Sequence, residues 1–469
     1  MDAARRTNGT LQEISADLDA SLAVVGSFQR NGDRIRITAR IVNVRSGEAL
    51  ADAKVDGFLA DIFDLQDRVV AQFSKELGIA TGVIARSGGP RETPSLEAYR
   101  AFTEGWLQLE ALDIRQTPHA VANFERAITV DPRYALAYTG LASAQLAAYE
   151  ETRSGTAPAH ELLKSAIGHA RRAVMLDDRL AEAHATLAFV LVSAWETREA
   201  VQCARRAVAL EPTNWRHFFR LGHAAWGEER LRAAANTLAL YPDFAFAHFQ
   251  TAMVHVARGR LTEAETVLRQ GAAVQDRQIG RGDRYPALGL HWLLGFVRLA
   301  QDDVEEALRE FDREQQLALP HRLYGGEYET SSLCGRGAGL LRIERFDEAA
   351  ECFRRALGLC PEHAQSSLGL SVALRATGSR YAADAAWRRA RTALDALAVT
   401  RPIEAALVHA QVLAVEGKPD EAGAVLCKAL DAAPPGFAAW TLPIEPLLLQ
   451  VAGTEAFTGA LLRLSERAR

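Results

Sequence analysis

Apolar positions recur with two different periods along this chain, and the change of period divides it. Between Arg34 and Val44 they alternate: Ile35, Ile37, Ala39 and Ile41 fall on one side, Arg34, Arg36, Thr38 and Arg40 on the other. A period of two is that of a half-buried strand. Ser21–Arg30 is apolar enough for a preceding strand, and Asn31-Gly32 is read as the hairpin turn because both residues tolerate positive φ. Ser46-Gly47 marks a second turn before a third strand near Leu50–Asp56. Leu11–Leu18 reads as a short helix. Asp61–Leu77 switches to the helical period, with Ile62, Leu65, Val69 and Phe73 along one stripe. Ile84–Pro94 clusters Gly, Pro and charge and is read as a linker.

From Leu96 onward the period is helical and small residues recur at fixed offsets. Ala200, Ala204, Ala207 and Pro212 form one set; Ala120, Phe124, Ala127 and Pro132 repeat it, as do Ala349, Phe353, Ala356 and Pro361. Further sets start at Ala264, Ala383 and Ala422. Small residues let two helices approach closely, and the closing proline stops the second helix because it lacks an N–H. Leu141-Ala142, Leu187-Ala188, Leu221-Gly222, Leu294-Gly295 and Leu370-Ser371 supply the packed positions of the preceding helices. Arg258-Gly259-Arg260, Thr377-Gly378-Ser379 and Glu416-Gly417-Lys418 supply the turns. This spacing resembles the tetratricopeptide repeat, a helix–turn–helix unit of about 34 residues. The resemblance covers Leu96 to Pro434. It implies a mostly α fold, a right-handed solenoid of about nine repeats preceded by a small α/β domain.

Several stretches depart from the pattern. Tyr149–Ala159 reads as an inserted loop, the repeat around Phe219–Pro242 is one helical turn short, and Asp276–Asp283 and Leu319–Tyr328 read as irregular joints. After Pro434 the chain leaves phase, and Ile444–Ala452 and Glu455–Ala468 read as closing helices. The expected divisions are residues 1–85 for the α/β domain, 86–95 for the linker, 96–434 for the superhelix and 435–469 for the cap.

Composition narrows the function. Hydrophobic residues at 48% and charged residues at 24% fit a folded chain, and a net charge of −5 offers no basic footprint for nucleic acid. No apolar run is long enough to span a membrane. Met1–Thr10 lacks the apolar stretch of a signal peptide, so the expected location is cytoplasmic, or periplasmic if a signal or span lies upstream. The five cysteines include no CxxC pair, which argues against a disulfide framework or a zinc site.

No nucleotide-binding, hydrolase, metalloprotease or calcium-loop motif is present. Gly335, Gly337 and Gly339 are spaced like a phosphate loop, but the repeat register puts them at the close-packing position of a first helix. His184, His223, His255, His291 and His409 fall one to a repeat and are not clustered. Asp302–Glu306 sits where carboxylates complement the positive end of a helix dipole. No catalytic residue, cofactor or metal is expected, and the chain is expected not to be an enzyme.

Residues 21–70 resemble the second half of the TolB-N-terminal/FlgO-like α/β module, through Gly26-Ser27, Gly32-Asp33-Arg34, Arg36–Arg40, Ser46-Gly47-Glu48 and Asp61–Asp67. That module normally opens with a further strand and helix, which nothing upstream of Leu11 supplies; the chain is then a fragment or the domain is trimmed. In bacterial signalling proteins the module often precedes tetratricopeptide repeats.

The tetratricopeptide resemblance also implies that first helices line a concave surface. Its offsets select Phe189, Phe219, His223, Trp226, Phe249, Met253, Trp292 and Phe296, with Val192 and Phe246 beside them. Aromatic residues are 7% of the chain, so four adjacent repeats are enriched in them. Either they form an open groove or tight curvature buries them against each other. The expected function is a scaffold binding a peptide or partner protein in that groove; the alternative is the C-terminal regulatory part of a bacterial Ser/Thr kinase or adenylate cyclase. The basic and asparagine pattern of a carboxylate clamp is absent, which disfavours a chaperone tail as ligand.

Overall fold

The computed structural model describes residues 21–44, 46–58, 61–77, 93–153, 158–281, 287–317, 321–451 and 453–469. The helix read at Leu11–Leu18 and most of the Ile84–Pro94 linker lie outside these residues. The chain divides into two compact units, Met1–Arg100 and Ala101–Arg469.

In the first unit, β1 (Leu22–Asn31), β2 (Arg34–Asn43) and β3 (Ala49–Phe58) form an antiparallel sheet in sequence order, and α1 (Ile62–Glu76) follows. The β1–β2 turn is Gly32-Asp33, one residue later than the sequence reading, because Asn31 still pairs with Arg34; Gly32 takes the positive φ, +59°. The alternation of β2 places Ile35 against Val55 and Leu65, with Ile37, Ile62 and Val69 around them. A bulge between Ile41 and Val42 ends the alternation. On the polar face Arg36 pairs with Asp56 and Arg40 with Asp52, each at 2.6 Å.

The remaining chain is a succession of antiparallel helix pairs. They are α2 (Leu96–Glu110) with α3 (Thr117–Val130), α4 (Ala135–Thr152) with α5 (His160–Leu176), and α6 (Ala181–Ser193) with α7 (Thr197–Leu210). Next come α8 (Trp215–Ala224) with α9 (Gly227–Leu240), α10 (Ala245–Ala257) with α11 (Leu261–Arg281), and α12 (Leu290–Ala300) with α13 (Val304–Leu317). Then follow α14 (Gly325–Arg342) with α15 (Phe346–Leu359), α16 (Ala364–Ala376) with α17 (Arg380–Thr400), and α18 (Pro402–Val415) with α19 (Pro419–Ala432); α20 (Glu455–Arg467) is last. Among the described residues these nine pairs agree with the repeat count of about nine read from the small-residue offsets.

Those offsets are where the helices meet. Ala120, Ala200, Ala204, Ala207, Ala349 and Ala356 have no exposed surface. Phenylalanines at the middle position each lie between two first-helix glycines. Phe124 sits against Gly105 and Gly140, Phe311 against Gly295 and Gly335, and Phe353 against Gly337 and Gly369, so close that a Cβ on any of these glycines would meet the ring. Gly335 and Gly337 are packing positions, as the register implies. The turns at Gly259, Gly378 and Gly417 use left-handed backbone, φ +69°, +80° and +74°, the conformation a helix end favours.

Three irregular stretches prove more helical than read. α4 runs on to Thr152, so the insert begins only after it; α11 continues to Arg281 through the supposed joint; and α14 starts at Gly325. In α11 the extension is held by Gln275, which accepts from Leu290 N at 3.1 Å, and by Gln278, which accepts from Ala287 N at 3.2 Å. The short repeat is real: α8 has ten residues. Residues 444–451 do not form the closing α-helix read from the sequence. Two 3₁₀ turns, Leu442–Ile444 and Leu449–Val451, replace it, with Pro443 and Pro446 removing backbone donors.

Candidate functional site

The inner faces of the first helices of the second to fifth pairs line a partly open cavity of about 930 Å³. Helical spacing brings Phe189, Val192 and Ser193 of α6 to it, then Phe219 and His223 of α8, and Phe246, Phe249 and Met253 of α10. The last turn of α4 adds Tyr149, Glu150 and Arg153.

Two segments distant in sequence close this space. Residues 321–324 run beside the 112–114 stretch, where Leu323 N donates to Leu112 O at 2.8 Å and Ile114 N to His321 O at 3.0 Å. They bring Tyr324, Glu327 and Tyr328 to the cavity wall. Arg153 bridges across, pairing with Glu150 at 2.8 Å and Glu327 at 3.1 Å. The second segment is Phe437–Thr441. Phe437 stacks on Trp195 with centroids 5.3 Å apart, and Trp440 meets Phe249 and Trp292 edge-on at 6.1 and 6.5 Å.

The sequence-selected residues divide. Phe189, Phe219, His223, Phe249 and Met253 line the chamber together. Trp226 lies under the C-terminal segment, packed against the cluster of Leu442, Leu448 and Phe457, with Phe437 6.3 Å from its ring. Trp292 and Phe296 line a separate cavity of about 70 Å³ with Cys334, His363, Gln411 and Glu445. Trp226 departs because α8 stops at Ala224 and Trp226 itself is extended, ψ 165°.

Arg230 is the feature the sequence reading missed. It is 2% exposed, and its guanidinium donates to Gly222 O at 2.7 Å, Ala225 O at 3.0 Å and His223 O at 2.9 Å, capping the truncated helix. Its Nη1 meets the sulfur of Met253 at 3.3 Å, and Trp226 lies 4.6 Å beneath it. Burial holds its pKa down to about 9. The signal available was an arginine one helical turn after a glycine in a repeat too short to complete its first helix.

His223 faces the same field. Burial, then Arg230, Arg153 and Arg220, hold its imidazole down to about 3. An unfolded histidine takes its proton near pH ~6.5, so the neutral folded ring contributes stability above that value and loses it as pH falls towards about 3. His223→Phe is therefore expected to reduce the acid loss of stability between about pH 6.5 and 4, by roughly 2–3 kcal/mol. Urea melts of the two proteins across that range measure it, and parallel curves would refute the assignment.

Among the described residues no group of three or more His, Cys, Asp or Glu side chains is placed to hold a metal ion, and no helix is long and apolar enough to cross a membrane.

Residues 335–390 match the tetratricopeptide repeat model. A putative adenylate cyclase 3 from Rhizobium meliloti (strain 1021) is 27% identical over 182 residues, which cover 39% of this chain and 31% of that protein. The chain thus spans under a third of the length of the curated relative it matches. Among solved structures, the APC/C hetero-tetramer Cut9–Hcn1 aligns at 13% identity over 70% of this chain and 57% of that one, TM-score 0.43. A tetratricopeptide repeat protein from Parabacteroides merdae aligns at 12% identity over 60% of this chain and 100% of that one, TM-score 0.40. Among the described residues eighteen helices fall in successive pairs in a tetratricopeptide-like arrangement, with a small three-stranded antiparallel sheet before them, and the match to the tetratricopeptide repeat model lies within the seventh and eighth pairs.

Proposed function

We propose that the helical array is a non-catalytic module that binds a partner protein through the inner face of its first helices. One observation carries this reading. Residues 437–447, a stretch of the chain with little helix, are seated on that face by Phe437, Trp440, Ile444 and Leu447. A surface that accepts its own aromatic and aliphatic side chains at successive repeats suits an extended partner segment of the same kind, anchored by a few buried hot spots.

The test uses the full chain. A partner captured by cross-linking in cells and identified by mass spectrometry is rebound in vitro against a synthetic peptide of residues 435–447. Competition by the peptide is expected. Binding unaffected by the peptide at saturation would place the interface elsewhere.

A second reading has its own support. The identity shared with the putative adenylate cyclase favours a regulatory role for this chain in a bacterial signalling protein, and the resemblance read in the sequence of residues 21–70 points the same way.

A further inference from the structure

The chamber has the size of a small-molecule site. Ligand pockets run to about 300–1,000 Å³ and combine apolar walls with a few polar groups that fix orientation; this one measures about 930 Å³. It is walled on two sides and remains partly open to solvent. The Arg153–Glu327 pair and the Leu323–Leu112 hydrogen bond close one side, and residues 437–441 close another.

The walls specify a body and a charge. Phe219, Phe244, Phe249, Tyr328 and Trp440 are all part of its lining, and walls this rich in rings suit a flat apolar group. Four arginines and three glutamates line the chamber. Arg153 is neutralised by Glu150 and Glu327. Glu404 and Arg401 line it beside Thr400 and Ile403, and Arg322 completes the set of charged residues. Arg230 has no carboxylate partner among the described residues; its acceptors are backbone carbonyls and, on Nη1, a thioether, which is a weak acceptor. His223 lies beside it, stacked 4.7 Å from Phe189, and its ring nitrogens make no hydrogen bond among the described residues. A buried cation facing a neutral imidazole, within reach of a cavity, favours one anionic group.

We propose that the chamber binds a small aromatic organic anion, a carboxylate or sulfonate, with its charged group against His223 and Arg230 and its flat body between Phe219, Phe249 and Trp440. With four arginines against three glutamates in its lining, the chamber carries one net positive charge, which matches one negative group and disfavours a nucleoside triphosphate. The site goes beyond the protein-binding role and stands whether or not the inner face takes a peptide. It makes the array a sensor, because the ligand would hold residues 437–441, the same segment that covers the first helices, in their closed position.

The probe is 8-anilinonaphthalene-1-sulfonate, titrated by fluorescence against the full chain, with N-phenyl-1-naphthylamine as its uncharged counterpart. The sulfonate is expected to saturate one site per chain, to bind about tenfold more tightly than the amine, and not to be displaced by ATP. His223→Phe breaks no protein hydrogen bond and should remove the preference for the sulfonate while leaving the amine bound. Ala194→Trp places an indole in the chamber and should abolish both, with the far-ultraviolet circular dichroism retained. No saturable site in the wild-type chain, or unchanged binding of both probes to Ala194→Trp, would overturn the proposal. Equal affinity for the two probes, an unaltered ratio in His223→Phe, or displacement by ATP would overturn the anion assignment.

Discussion

Deletion of residues 435–469 is expected to abolish the single cooperative melt of the helical array and to leave a chain that self-associates. These residues do not merely end the solenoid. Leu442, Leu448, Phe457 and Leu464 are at most 1% exposed and share a cluster with Leu413 and Leu426, while Ile444 packs among Leu290, Leu293 and Val297. Burying side chains of this size contributes roughly 1.5–3 kcal/mol each, so about 10 kcal/mol of gross stabilisation is removed before the entropy of ordering the segment is set against it. The chain's last carbonyls are tied back as well. Arg258 donates to Ala468 O at 2.9 and 2.7 Å, and Glu228 N donates to Arg469 O at 3.1 Å. Gly227, φ +60°, lies so near Arg469 O that a Cβ there would meet it. Repeats four and five are thereby joined to the end of the chain. Repeat arrays also need a terminal element with a polar outer face to stay in solution. Circular dichroism melts with size-exclusion chromatography read the effect; a truncated chain that remains monomeric and melts at the wild-type temperature would show that the segment is peripheral.

The repeats were legible because their signal is local. Ala204, Ala207 and Ala356 could be placed at helix contacts from spacing alone, since one helical turn fixes which residues share a face, and all three have no exposed surface. The same local phase brought Phe219, Phe249 and Met253 to one chamber. Phase fails where a helix ends early: the chain leaves α8 at Ala224, so Trp226 takes an extended conformation and turns under the tail. It fails also where the partner is remote. Trp440 meets Trp292 across 148 positions, and no periodicity encodes that return. The tail's aromatics were a usable hint, because a cap meant to face water has little reason to carry Phe437 and Trp440. Helix boundaries at 276–281 were misjudged for a related reason, since the glutamines that prolong α11 find their acceptors and donors at 243 and 287–290.

Glu314 illustrates a polar residue whose role is set wholly by tertiary contact, and it carries the second large effect. On the sequence it reads as one more charge on the polar face of α13. In the structure it has no exposed surface. Its carboxylate accepts from Gly289 N at 2.8 Å and Trp292 N at 3.2 Å, and Gln275 Nε2 donates to it at 3.3 Å. Gly289 occupies the N-cap of α12 and has no side chain to satisfy the first amides, so the glutamate of the next helix caps them instead. Glu314→Leu would leave three buried donors without an acceptor, each costing about 1–3 kcal/mol, and a loss of roughly 3–5 kcal/mol is expected. Glu314→Gln keeps one acceptor oxygen and should cost much less. Burial pushes the Glu314 pKa up, and the three donors pull it only part of the way back. The folded state thus binds this proton more tightly than the unfolded chain. The contribution is complete below about 4.5 and declines as pH rises through the folded value, so the glutamine variant should gain on the wild type across that rise. Urea unfolding of the three proteins at two pH values tests both parts, and a leucine variant as stable as the wild type would show that α12 is capped by other means.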